Sequence, residues 1–550
     1  MAITLTSAFL AELKKNSNQP NVILEVALDS GTVKWGYSIG GFSDVLPILK
    51  SVSSLQNKLD TEKGYSTRGQ LTFTITGRDN FKTLISGSYL KNRRVTRKDG
   101  FVASGFAYSD YAATFTGKVL DWSRKGDELT ITVADDAQDA SRKIPAENST
   151  KTQYLDYRNT NPADIMTNIL LTRLGIGSGY VDSAKFTSER DTWLNGYKFD
   201  RVLTRPEEAN KYLNELQQET NSFMVHDGEK ISFKVFAPPV PGSTVEEWTD
   251  AFNILHGSFS EKSGYKDEFF NRVVVYLDYD ESGNDKPENF ETIRIAADAA
   301  SQGSGQWNEV KTKEIKSKWM RSRTYAQPTN ITGVVIYHAS VANGTGTGTL
   351  AYVKAANTLQ WTAPGGLNGE TVTLSKDGLF QIFDTDKTKW VRVIVTTASL
   401  PAIDKTDAIV ITALSGEDYA AALAQKLLNR FRDPTATVGF SIDLNNAAYN
   451  STFIKPTDLK DLTTDEACEK GEAAWSKERV LLTSIRPDFT AARVDVEAVE
   501  TKLYRRYGFI APAGQPDYPS ATASQKERAY VGRASDNKVN AGTEEGYVVW

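Results

Sequence analysis

Along most of this chain apolar residues alternate with polar ones instead of recurring at helical spacing, and the pattern predicts a mainly β protein. The clearest run is Leu71-Thr72-Phe73-Thr74-Ile75-Thr76, which puts three apolar side chains on one face and three threonines on the other. Residues Val22 to Leu28 and Thr32 to Trp35 flank Asp29-Ser30-Gly31 and predict a hairpin. A second strand pair joins Phe115 to Trp122 with Leu129 to Val133 through Arg124-Lys125-Gly126-Asp127. A short amphipathic helix with Phe9, Leu10 and Leu13 on one side precedes them, and together these elements predict a compact β domain over residues 1–150.

Helical spacing enters after residue 150. Asn161-Pro162-Ala163-Asp164 combines an N-cap, a first-position proline and a first-turn acid, with Ile165, Ile169 and Leu170 as the apolar face and Gly175 as the stop. Thr204-Arg205-Pro206-Glu207 reads as a capping box opening a helix that buries Ala209, Tyr212, Leu213 and Leu216. The hairpin around Phe223 to His226 and Ile231 to Val235 ends at Pro238-Pro239-Val240-Pro241, giving an α+β domain over 151–260. Strands resume at Asn271 to Leu277 and near Trp319, a helix at Tyr419 to Phe431 and a strand at Val438 to Leu444. These predict a second β domain, discontinuous over 261–330 and 413–500. Residues 331–412, rich in Thr and Gly and patterned as short strands, predict an inserted small β-sandwich. Residues 501–550, with Ala511-Pro512-Ala513-Gly514-Gln515-Pro516, predict an extended tail whose apolar end at Trp550 docks on another chain.

Composition narrows the chemistry. The 550 residues carry 64 Lys+Arg against 69 Asp+Glu, a net charge of −5, which removes the positive field of a dedicated nucleic-acid or membrane-surface binder. No window of eighteen apolar residues suits a membrane span, and the first residues lack a secretory pattern, so synthesis in a cytoplasm is expected. The three histidines, His226, His256 and His338, are too scattered to pair as metal ligands. Cys468 sits among acids that disfavour its thiolate. Gly175-Ile176-Gly177-Ser178-Gly179 ends a helix instead of opening one, and Asn343 to Gly348 lacks the lysine of a phosphate loop. The acid pairs Asp135-Asp136, Glu207-Glu208 and Asp278/Asp280 carry no spacing signal for hydrolysis. No catalytic residue, cofactor or metal is expected.

Two sets of residues remain as candidate contacts. The run from Lys91 to Lys98 holds five positive charges in eight residues; without aromatic residues for base stacking it reads as a solvated loop or a protein contact through Arg93, Arg94, Arg97 and Lys98. Trp361 and Trp390 in the insert are candidate glycan contacts, although aromatic residues in so small a sandwich more commonly fill its core.

The order of these segments, from STRGQLTFTITGRDNF and FTGKVLDWSRKGDELTITVADDAQ through NPADIMTNIL and FMVHDGEKISF to NRVVVYLDY and ALAQKLLNRFRDPTATVGFSIDL, resembles the tail-tip or baseplate hub proteins of tailed bacteriophages. The likeness covers roughly residues 1–330 and 413–500. It implies two tail-tube-like β-barrel domains per chain and a homotrimer forming a pseudo-sixfold ring around the channel for DNA and tape-measure protein. DNA would pass without specific binding. The ring would join a distal tail protein to other tip or receptor-binding proteins, in the virion and without turnover. The alternative is a tip adhesin that recognises a cell-surface glycan through residues 331–412.

Overall fold

The computed structural model describes the chain from residue 5 to 322 and from 416 to 501 apart from short breaks, with isolated strands between 349 and 412 and between 507 and 548. Helix α1 (Ser7–Leu13) is capped by Thr6, whose hydroxyl accepts from the Phe9 amide at 3.1 Å. The first β module follows: β1 (Pro20–Leu28), β2 (Gly31–Gly36), β3 (Leu49–Val52), β4 (Asn57–Asp60), β5 (Gln70–Thr76), helix α2 (Arg78–Gly87), β6 (Arg94–Phe101), β7 (Ala112–Lys125) and β8 (Glu128–Ala134). One sheet runs Val45–Leu46, β2, β1, β6, β7, β8, β5, β3. Leu71, Phe73 and Ile75 of β5 are fully buried with Leu24, Val26, Val95, Leu129 and Ile131, as the alternation predicts. Each such side chain stabilises the fold by roughly 1.5–3 kcal/mol. Most of the basic run is not a loop: after a turn at Lys91-Asn92, Arg94 to Phe101 is a central strand, flanked on both sides by antiparallel partners.

The middle of the chain is α+β. It comprises α3 (Pro162–Asn168), α4 (Ser183–Trp193), α5 (Ala209–Thr220) and the hairpin of β9 (Ser222–His226) with β10 (Ile231–Val235). Asn161 caps α3 by accepting from the Ala163 amide at 3.0 Å, as expected. The expected capping box at Thr204–Glu207 does not form. The backbone of Glu207-Glu208 pairs with Lys143-Ile144 instead, so α5 begins at Ala209, and the Glu207 carboxylate meets Lys211 at 2.5 Å. The chain then makes two short strands, β11 (Glu247–Thr249) and β12 (Ser260–Ser263), before β13 (Arg272–Tyr279), β14 (Phe290–Ala297), β15 (Thr312–Lys316) and helix α6 (Gly416–Phe431).

Strand β13 pairs antiparallel with β14 and parallel with β15. Val273, Val275, Leu277 and Ile315 from this sheet share one core with Tyr419, Leu423 and Phe431 of α6 and with Ile165, Phe199, Leu213 and Phe233. Residues 272–316 and 416–431 therefore pack with the α+β middle and not with the second β module, to which the sequence assigns them. Arg321 and Gly416 lie together: the Gly416 amide donates to the Arg321 carbonyl at 2.8 Å, and a Cβ at 416 would fall 2.0 Å from that oxygen. The intervening segment thus leaves and re-enters at one point. Its described strands form two three-stranded antiparallel sheets, 349–372 and 377–412.

The second β module contains β16 (Ala436–Asp443), β17 (Leu459–Thr464), β18 (Trp475–Asp488) and β19 (Arg493–Glu500). With β11 and β12 they run β11, β17, β18, β19, β16, β12. Phe440, Ile442, Leu482, Val494 and Val496 fill its core, joined by Phe9 and Leu13 of α1 and by Trp248. Beyond it, three short strands at 507–511, 530–533 and 545–548 form one small sheet, where the sequence predicts an extended tail. Tyr507 and Phe509 before the proline-containing stretch 512–519, and Tyr530 and Tyr547 after it, are strand formers.

Candidate assembly surface

The two β modules are built alike. In the first, β3, β5, β8, β7 and β6 are neighbours in that order; in the second, β12, β16, β19, β18 and β17 are. Every pair in both series is antiparallel, and the five strands follow each other along the chain in the same sequence. The long strands β7 and β18 each contain 14 residues and each bulges twice. Aligning Ala112 with Trp475 puts the bulged Leu120 of β7, opposite β8, on the bulged Thr483 of β18, opposite β19. The other bulge, Thr114 in β7, falls on Lys477 in β18, whose φ is 56°. A bulge re-aims a strand at a defined point, so two coincident bulges mean that both long strands bend in the same places.

What fills the gap between the first two strands of each series differs between the modules. Between β3 and β5 runs a short arm, residues 53–69, that carries β4. Between β12 and β16 lies everything from 264 to 435. The arm ties the modules together: Asn57 and Lys58 of β4 pair with Ile485 and Ser484 of β18. Leu59 is buried with Phe223, Val225, Phe236, Leu481 and Val499, so a single side chain joins the arm to the α+β hairpin and to the second module. Helix α1 makes a second tie, placing Phe9 edge-on to Phe101 at 5.1 Å within the core of the second module.

The four basic candidates are all engaged within the chain. Arg97 grips Asp99 through Nε and Nη2 at 2.9 and 2.8 Å and donates from Nη1 to the Ser53 carbonyl at 3.0 Å, with both side chains buried. Arg94 meets Asp136 at 2.5 Å and lies 3.6 Å over the Tyr180 ring. Lys98 meets Glu25 at 3.1 Å and sits over Tyr108, and Arg93 pairs with Asp29. Carboxylates on the neighbouring β1 and around β8 thus make a basic strand tolerable inside a sheet. Trp361 lies on the strand Thr358–Thr362 and Trp390 on Thr388–Ile394, in different sheets. Trp550 and Cys468 lie outside the described residues.

Two groups with displaced titration, His226 and Glu219, occupy closed positions. His226 is buried 5.7 Å from the Phe115 ring, between the α+β hairpin and the first module, and burial lowers its imidazole to about 4. Burial pushes the Glu219 carboxyl well above the usual range; it accepts from Ser317 Oγ at 2.5 Å inside the middle core. Neither opens on a cleft that admits a substrate, because each is less than a tenth exposed. Among the described residues no cluster of three metal-ligating side chains occurs, and no helix is long and apolar enough to cross a membrane.

No protein-family model matches the sequence, and no curated protein matches it. Solved structures do. The chain is similar to the 43 kDa tail protein of prophage MuSo2 from Shewanella oneidensis, at 10% identity and a TM-score of 0.41 over 88% of this chain and 99% of that one. Its structural neighbours are phage tail and secretion-system proteins. They include a Francisella PdpA–VgrG complex, at 8% identity and a TM-score of 0.37 over 92% of this chain and 64% of that one. Another is the E. coli c3393 protein, a type VI secretion component with structural similarity to the T4 tail proteins gp27 and gp5, at 9% identity and a TM-score of 0.28 over 86% and 83%.

Proposed function

We propose that the chain is a structural hub of a phage-type tail tip, assembled as a homotrimer in which three copies of two like β modules make a ring of six. The observation that carries this reading is the internal duplication: the same five-strand order, with both bulges at matching positions in the long strand. A chain with two like units converts sixfold geometry into threefold geometry, which is what a joint between a sixfold tube and a threefold tip requires. The reading is non-enzymatic. The ring would surround the channel for DNA and tape-measure protein and bind a distal tail protein on one side and other tip proteins on the other. The intrachain neutralisation of Arg93, Arg94, Arg97 and Lys98 suits a wall past which DNA moves without being held. Antibody raised against the purified chain is expected to label one end of the tail in electron micrographs of the particles. Label along the whole tail, or none, contradicts the proposal.

A further inference from the structure

The duplication leaves one position filled in the second module and open in the first. In β18 the β17 partner covers the first half of the strand, and β4 takes over at Ser484 and Ile485. In β7 the β6 partner likewise covers the first half; the last bonds run from the Val119 amide to the Arg93 carbonyl and from the Asn92 amide to the Val119 carbonyl. The residues of β7 that align with Ser484 and Ile485 are Asp121 and Trp122. On one side they pair with Thr132 and Ile131 of β8; on the other, among the described residues, they face no strand. Burial follows the difference: Ile485 is 6% exposed and Trp122 39%, and Asp121 to Lys125 are all exposed. The Trp122 amide donates to its neighbour Asp121 Oδ1 at 2.8 Å, a side chain standing where a strand carbonyl would be.

Resting on the ring reading, we propose that the free edge of β7 at Asp121–Arg124 is the strand-addition site for a second copy of this chain, and that this pairing closes the ring. The pairing repeats between chains what β4 and β18 do within one. In the first module the arm lies between β3 and β5; the topologically matching stretch of the second module is 264–435, so the partner supplies its strand from the parts of that stretch outside the insert, 264–322 or 416–435. The contact is head-to-tail, which closes into a ring when the rotation between successive modules divides a full turn. Trp122 is the anchor, since an aromatic side chain on an open strand edge gains most from being covered. The Asp121 carboxylate shields the edge in the free chain and is displaced from the Trp122 amide on addition.

The test compares the full-length protein with Trp122→Pro and Trp122→Lys by light scattering across concentration and by hydrogen exchange of the 120–125 peptide. Proline at 122 removes an amide that β8 does not use, so the fold of the module is retained; the lysine variant, which keeps the backbone intact, serves if the proline variant fails to fold. The expected result is a trimer for the native chain, at least a tenfold rise in the dissociation concentration for either folded variant, and protection of residues 120–125 that grows with native concentration while β8 protection stays constant. A native trimer whose variants remain trimeric with unchanged dissociation overturns the edge assignment and leaves the ring reading standing. A native assembly of another order that the variants break supports the edge and overturns the trimer. A native chain that stays monomeric, with no concentration-dependent protection, overturns both.

Discussion

Arg97 and Asp99 illustrate how local charge and buried position are reconciled at single residues. Two residues apart on β6, they face the same way and satisfy each other, with Thr114 adding a hydroxyl to the Asp99 carboxylate. Replacing Arg97 with Met leaves Asp99 as an uncompensated buried charge, and the expected loss is about 3–5 kcal/mol. Changing Asp99 to Leu in the same chain should recover most of it, and a denaturant titration of the single and double variants checks both values. His226 gives the pH dependence. Its imidazole is held near 4 when folded, against about 6.5 in an unfolded chain. Between those pH values the unfolded chain binds a proton that the folded chain does not. Stability from this residue is therefore fully present above about pH 6.5 and is lost as the pH falls toward 4, by on the order of 3 kcal/mol. His226→Phe should flatten that part of a stability-against-pH curve. The position of His226 in a strand is legible from Ser222 to Val225; the Phe115 ring that buries it comes from another module and leaves no mark on the local sequence.

At the scale of elements, what the sequence reveals depends on whether a strand's burial is one-sided. Strand β5 has one buried face, so its alternation is plain, and the hairpins of β1 with β2 and β7 with β8 carry Gly turns that announce them. Strand β6 is hidden by its charges, because the neutralising carboxylates Glu25, Asp29 and Asp136 come from elsewhere in the chain. The duplication is invisible for a similar reason. AATFTGKVLDWSRK and WSKERVLLTSIRPD share the length and the bulges of their strands and hardly any residues, since bulges are fixed by pairing and not by residue type. The division of the middle of the chain is misread because α6 and β13 to β15 reach their common core across the insert. The arm is the element on which the joint between modules turns. Leu59→Ala should cost about 2–5 kcal/mol, as removal of a buried leucine does, and should do so at the joint. Hydrogen exchange is expected to show increased exposure of the β18 peptide around Ser484 with the β5 and β8 peptides unchanged.

At the scale of the whole molecule, the insert and the ring are separable. Because Arg321 and Gly416 are already bonded to each other, replacing residues 323–415 with a short Gly-Ser linker should leave the melting temperature and the assembly state of the protein unaltered. Loss of cell attachment by otherwise complete particles would assign glycan recognition to the insert, with Trp361 and Trp390 as the first residues to substitute. Electron-microscopic class averages of the purified protein, paired with its mass in solution, test whether the modules form the ring. The expected result is a mass of three times 60.7 kDa and an open ring of threefold symmetry with six like densities around its wall. Particles of that mass without a ring, or a ring whose densities do not repeat in sixes, would contradict it.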